Sequence, residues 1–138
     1  YFEDKDRLIP TIIKSNLTNT KLNLSNPNFV RDFIFIEDII DAYLKAIKNI
    51  QKIKGEIFNL GTGKETKIDE VVSLVKKITH SYIEPCYGKV IPAQLEPKIW
   101  VADISKAKKL LNWKPKYTLE KGLTKDIEWF KENLLLYQ

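Results

Sequence analysis

Val30-Arg31-Asp32-Phe33-Ile34-Phe35-Ile36 runs directly into Glu37-Asp38-Ile39-Ile40-Asp41-Ala42-Tyr43-Leu44-Lys45-Ala46-Ile47-Lys48, and the hydrophobic period changes between the two. In the first run Phe33 and Phe35 fall on one side and Ile34 and Ile36 on the other. A strand over 30–36 is therefore apolar on both faces, the pattern of a strand covered from two sides. In the second run Ile36, Ile40, Tyr43, Leu44 and Ile47 recur at helical spacing, which predicts a helix over 39–48. A doubly covered strand feeding an amphipathic helix is a building unit of an α/β fold.

The alternation continues in both directions. Upstream, Ile9, Ile12, Ile13 and Leu17 share a face, predicting a helix over 10–17 with Pro10 in its first turn. A short strand over 21–24 and the turn residues Ser25-Asn26-Pro27-Asn28 follow. Downstream come a strand over 56–60, the turn Gly61-Thr62-Gly63, and a helix over 67–79 with Ile68, Val71, Val72, Val75 and Ile78 inward. Thr66 and Asp69 are spaced as a capping box for that helix. After the irregular stretch 80–95 the pattern gives a strand over 99–102 and a short helix to Leu111, capped by Asp103 or Ser105. Asn112-Trp113-Lys114-Pro115 ends it, and Thr118 caps a last helix striped by Leu119, Leu123, Ile127, Phe130 and Leu134. The expectation is one mixed α/β domain over 1–138, with short strands and about five helices.

Composition excludes several classes. The 138 residues, 43% hydrophobic and 30% charged, suit about one globular domain. One cysteine, Cys86, with one histidine, His80, builds neither a disulfide scaffold nor a structural zinc site. No apolar run reaches membrane-spanning length and residues 1–5 show no signal-peptide pattern; with a lone cysteine pointing to a reducing compartment, a cytoplasmic, membrane-free protein is expected. The net charge of +5 raises a basic nucleic-acid-binding module as an alternative. Yet only Arg7 and Arg31 among the 23 basic residues are arginines, and the lysines (Lys45, Lys48, Lys76, Lys77, Lys108, Lys109) sit on polar helix faces. No helix-turn-helix or aromatic RNA-binding pattern accompanies them, so no nucleic-acid partner is expected.

Candidate chemistry is sparse. Gly61-Thr62-Gly63 sits where a dinucleotide fingerprint would, but Thr66 occupies the place of the third glycine, and no Gly-Lys-Ser/Thr follows for a P-loop. A tight turn needing positive φ is the better reading. Thr62, His80, Cys86, Asp103 and Ser105 have no spacing that makes a nucleophile–base–acid set; His80 reads as a helix end and Cys86 as loop packing. Arg31 stands out at the start of the doubly apolar strand. A guanidinium there binds phosphate bidentately or forms an ion pair with Asp32 or Asp38.

Four segments carry a resemblance. Arg31 to Tyr43 is similar to the "RDFhhhxDhhxA" segment of the extended short-chain dehydrogenase/reductases acting on nucleotide sugars, the NAD-dependent epimerase/dehydratase family. Glu56-Ile57-Phe58-Asn59-Leu60-Gly61-Thr62-Gly63 resembles their "GxhaNhGtG", and Ala102-Asp103-Ile104-Ser105-Lys106-Ala107 through Trp113-Lys114-Pro115 resembles "ADhSKAxxxLGWxP". Leu119-Glu120-Lys121-Gly122-Leu123 through Trp129 resembles their closing helix. The order is the family's, over nearly the whole chain. The family's Gly-rich cofactor turn and Tyr-x-x-x-Lys pair normally precede these segments. Tyr43, Tyr82 and Tyr87 are followed four residues on by Ile47, Cys86 and Ile91, and Tyr117 with Lys121 lies outside the family position.

The resemblance therefore implies the C-terminal, substrate-binding part of an extended Rossmann-type enzyme, without the N-terminal dinucleotide-binding half and inactive alone. It implies no catalytic residue and no metal ligand here. NAD or NADP serves the parent enzyme, with none expected on this part. The implied ligand is a nucleotide-diphosphate sugar. Arg7 and Leu8 resemble the helix start that meets diphosphate and base, and Asn23 and Leu24 the strand whose backbone edges the base. Arg31 resembles the diphosphate arginine. Glu96 takes the place of the ribose carboxylate, and Trp100 that of an aromatic residue lining the sugar. Ala93 stands where the family has a second arginine, with Lys89 or Lys98 as point-charge substitutes. Loss of cover from Ile40, Tyr43, Leu44 and Ile47 implies a homodimer or other self-association. A non-catalytic interaction domain is the other alternative.

Overall fold

The computed structural model describes residues 1–91 and 96–137. In chain order they form α1 (Leu8–Thr18), β1 (Val30–Arg31), α2 (Ile36–Lys48), α3 (Ile50–Ile53), β2 (Thr66–Lys67), α4 (Ile68–Thr79), β3 (Ile99–Trp100), α5 (Ser105–Leu111) and α6 (Leu119–Asn133), with a closing 3-10 turn at Leu134–Tyr137. Helices and short strands alternate as expected of an α/β chain. The six α-helices exceed the expected five by α3, a single turn that restarts after Asn49.

The strands are shorter than their apolar patterns. A small sheet has the order β2-β1-β3, with β1 parallel to β3 and Val30 opposite Ile99, Arg31 opposite Trp100. The strand expected over 30–36 stops at Arg31, and the chain turns helical at Ile36 instead of residue 39. Asp38 N–H donates to Phe35 O at 3.0 Å, closing the first turn early. Residues 56–60 join no ladder, and the strand expected over 21–24 reduces to one bridge between Asn23 and Cys86.

Contact density divides the chain into two compact units. The first comprises Tyr1–Phe29, Lys67–Lys98 and Leu123–Gln138. Its core is built by the helix stripes read from sequence: Ile12 and Ile13 of α1, Ile68, Val71, Val72 and Val75 of α4, and Leu123, Ile127 and Phe130 of α6 are all buried. The i, i+3, i+4, i+7 spacing in α4 puts its four on one face. The capping box expected at Thr66 and Asp69 is replaced. Ile68 N–H and Asp69 N–H donate to the carbonyls of Phe29 and Pro27, at 3.1 and 3.2 Å. With those donors satisfied by distant backbone, the Asp69 carboxylate instead accepts the Tyr87 hydroxyl at 2.5 Å. Burial, then that hydrogen bond, push the Tyr87 hydroxyl well above its ordinary range, so it stays a donor. His80 closes α4 in the left-handed region, φ 54°.

The second unit comprises Val30–Thr66 and Ile99–Gly122. Ala42, Ile53, Ile104, Ala107, Leu111 and Trp113 form its core, with Ile34, Phe58 and Leu60 packed against it. Small Ala42 and Ala46 face this core from α2. The larger stripe of α2 turns outward: Ile40, Tyr43, Leu44 and Ile47 are 51%, 64%, 53% and 67% exposed.

Candidate functional site

The second unit places Arg31 and Trp100 together. Register partners on adjacent strands share a face of the sheet, so the guanidinium-bearing chain and the indole project to one side. Arg31 is half-buried, and its Nη1 donates to Val30 O at 2.8 Å. Trp100 is 65% exposed, an unusual placement for an indole outside a contact surface.

Asp32 and Asp38 are not the ion-pair partners of Arg31 that proximity in sequence offered; both carboxylates accept backbone N–H groups. Asp32 Oδ1 accepts Thr62 N–H at 2.8 Å and the Thr62 hydroxyl. Its Oδ2 accepts Gly63 N–H at 2.9 Å and Ala102 N–H at 3.3 Å. Asp38 accepts Lys116 N–H at 2.8 Å and Tyr117 N–H at 3.1 Å, while its own carbonyl accepts Trp113 Nε1–H at 3.0 Å. The resemblance segments thus converge on two carboxylates. The signal for this in the sequence was an aspartate directly before the apolar Phe33–Ile36 run and another two residues after it, where a charge drawn into the fold requires donors.

Gly61-Thr62-Gly63 is the tight turn expected, with Gly63 at φ +69°. Its donors are already committed to Asp32, so it does not fit the cradle of a dinucleotide pyrophosphate. Tyr117 donates its hydroxyl to Glu37 and stacks on Phe35 at 4.8 Å, a packing role consistent with its place outside the family's catalytic pair.

The remaining candidates lie in the first unit. Arg7 precedes α1 and is exposed, with its Nε 3.7 Å from Glu3 Oε1; Leu8 opens the helix and is half-buried. Asn23 is exposed at the bridge to Cys86. Leu24 is buried, and its backbone is fully engaged: its N–H donates to Cys86 O at 3.0 Å, and its carbonyl accepts Lys89 and Val90 N–H at 3.0 and 3.3 Å. Glu96, Lys89 and Lys98 are exposed, and Ala93 lies outside the described residues. No group of three or more potential metal ligands occurs among the described residues, and no described helix is long and apolar enough to cross a membrane.

Residues 3–125 match the family described as GDP-mannose 4,6 dehydratase. A UDP-glucuronate 4-epimerase from Thermodesulfobacterium geofontis is 36% identical over 107 residues, 77% of this chain and 32% of its own length. A CDP-abequose synthase from Salmonella muenchen is 33% identical over 119 residues, 86% of this chain and 40% of its own. The UDP-glucuronic acid 4-epimerase of Bacillus cereus, solved with UDP-glucuronic acid and NAD, superposes with a TM-score of 0.85 at 30% identity, covering 94% of this chain and 41% of that one. The chain thus spans between 32% and 41% of the length of these relatives.

Proposed function

Because this chain belongs to the GDP-mannose 4,6 dehydratase family, among the extended short-chain dehydrogenase/reductases that act on nucleotide sugars, we propose that it is the nucleotide-sugar-binding part of an NAD(P)-dependent epimerase, dehydratase or 4-keto reductase of the cytoplasm. The observation that carries this reading is the register pair of Arg31 and Trp100 on one sheet face. A guanidinium fork holds a diphosphate through paired charge-assisted hydrogen bonds, and an exposed indole beside it gives the sugar an apolar wall. Within the first unit, taken by itself, Arg7 and Leu8 at the start of α1, Asn23 at its bridge to Cys86, and Glu96 are the residues the resemblance assigns to phosphate, base and ribose; Leu24, buried and with its backbone groups engaged, holds that bridge in place. The cofactor would supply hydride transfer in the parent enzyme; the Gly61-Thr62-Gly63 turn does not fit its pyrophosphate, because the Thr62 and Gly63 N–H donors are held by Asp32.

Binding and turnover test the reading together. UDP, CDP and dTDP are titrated by calorimetry, with an oligonucleotide as the contrasting ligand. A nucleoside diphosphate binds and the oligonucleotide does not; Arg31→Ala weakens binding by about 1.5–3 kcal/mol, the scale of hydrogen bonds to a charged group. Nucleotide sugars with NAD(H) or NADP(H) show no turnover by the purified chain. An Arg31→Ala variant that binds as the parent does removes the assignment.

The same reading extends to association. The outward stripe of α2 is long enough, and apolar enough, to drive pairing of copies through this face. Light scattering across a concentration series should show mass rising with concentration in the parent and staying at one chain for Tyr43→Lys. A parent that stays monomeric at high concentration counts against it.

A further inference from the structure

The Gly61-Thr62-Gly63 turn has the donors of an anion cradle, and a side chain of its own unit fills it. Successive N–H groups aimed to one side form a concavity that otherwise takes phosphate. Here Thr62 N–H and Gly63 N–H reach the Asp32 carboxylate at 2.8 and 2.9 Å, joined by the Thr62 hydroxyl. From two residues past β3, Ala102 N–H reaches the same carboxylate at 3.3 Å. The fit leaves no space: a Cβ on Gly61 would overlap the Asp32 carboxylate and come within 2.7 Å of Ala102 Cβ.

The location of this clamp gives it a consequence for the ligand face. Asp32 follows Arg31 in the chain, and Ala102 stands two residues beyond Trp100. One carboxylate therefore ties the chain leaving β1 to the chain leaving β3, just past the pair the strands form. Strands of two residues contribute few ladder bonds of their own, and a slip of one residue turns a side chain to the opposite face. We propose that Asp32 is a positioning residue for nucleotide-sugar binding, holding Arg31 and Trp100 in register on one face through the Gly61–Gly63 turn and Ala102 without touching the ligand. This rests on the reading of Arg31 and Trp100 given above.

The test compares the parent with Asp32→Asn and Gly61→Ala. Asparagine keeps the shape but turns an NH2 toward N–H donors, while alanine presses the turn away from the carboxylate. Each protein is titrated with UDP at a temperature where circular dichroism shows it folded. Without ligand, amide hydrogen exchange at Thr62, Gly63 and Ala102 is measured, with nuclear Overhauser contacts between Arg31 and Trp100. Both variants should lose the exchange protection and the Arg31–Trp100 contacts, and bind UDP at least tenfold more weakly. Trp113→Phe, which destabilises the same unit away from the clamp, should melt earlier yet keep the parent's UDP affinity. Parent-like affinity and register in folded Asp32→Asn overturn the proposal. Should Asp32→Asn fail to fold, Gly61→Ala carries the same two readouts. A parent that does not bind UDP defeats the reading of the ligand face, and retained register in the variants then separately overturns the role of Asp32.

Discussion

Trp113→Ala should lose about 3–5 kcal/mol of unfolding free energy, the range for removing a large buried aromatic side chain. The indole is 1% exposed and sits among Ala42, Ile53, Ile104, Ala107 and Leu111. Its neighbours include two alanines, which have no side-chain length with which to close the resulting cavity. The substitution also removes the donor to Asp38 O, leaving a buried carbonyl without that bond. Against a total stability of about 5–15 kcal/mol for an ordinary domain, that is a large fraction. Urea unfolding followed by far-ultraviolet circular dichroism measures it, with Trp113→Phe expected to lose roughly half as much because the ring is kept and only the donor and some volume go. A loss under about 1 kcal/mol for Trp113→Ala would mean that the indole does not anchor this core.

How far the sequence revealed this structure depended on where each group finds its partner. The helix stripes of α4 and α6 were legible because periodicity is a local property: Val71, Val72, Val75, Ile127 and Phe130 are buried as their spacing required. Strand length was not legible, since an apolar run becomes a ladder only where another strand lies alongside. Val30–Ile36 therefore read as seven strand residues and yields two. The capping box at Thr66 and Asp69 misled for a related reason: the carbonyls of Pro27 and Phe29 reach the same helix start from far upstream. The outward stripe of α2 carries the same spacing as an inward one. Its direction was set by Ala42 and Ala46, whose small size lets the helix approach the core.

The candidate site was legible in part. Arg31 was visible as an arginine in an arginine-poor chain, and Trp100 through the resemblance. Their pairing required the register of β1 and β3. The two aspartates were misread because their partners lie between 30 and 79 residues away. From composition, a carboxylate beside an arginine is an ion pair. In the fold, the carboxylates instead gather backbone donors, which leaves the tying of the unit to Asp32 and Asp38.

Asp38→Asn is the sharpest test of that division of labour, with an expected loss of about 3–5 kcal/mol. The carboxylate is 1% exposed, and its two oxygens accept Lys116 and Tyr117 N–H separately. Each hydrogen bond to a charged acceptor is worth about 1.5–3 kcal/mol, and asparagine can keep at most one, weakened by loss of the charge. Its NH2 then faces a backbone donor. Asp38 also lies in the first turn of α2, where a negative charge complements the helix end by about 0.3–1 kcal/mol. Asp41, one turn further along α2, gives the contrast. Its carboxyl is held below the ordinary range by the hydrogen bond from Lys116 and the charge of Lys45; it is half-buried, but both lysines reach solvent, 32% exposed at Lys45 and 59% at Lys116. Asp41→Asn should therefore cost within about 1 kcal/mol, as exposed ion pairs do. The lowered Asp41 pKa fixes the sign of its pH dependence: its contribution is present above the ordinary aspartate range and is lost as pH falls through the folded value. Urea titrations of both variants at neutral pH decide the matter. Equal losses at Asp38 and Asp41 would show that charge on α2, not the buried pair of backbone bonds, ties the Trp113–Tyr117 segment to the helix.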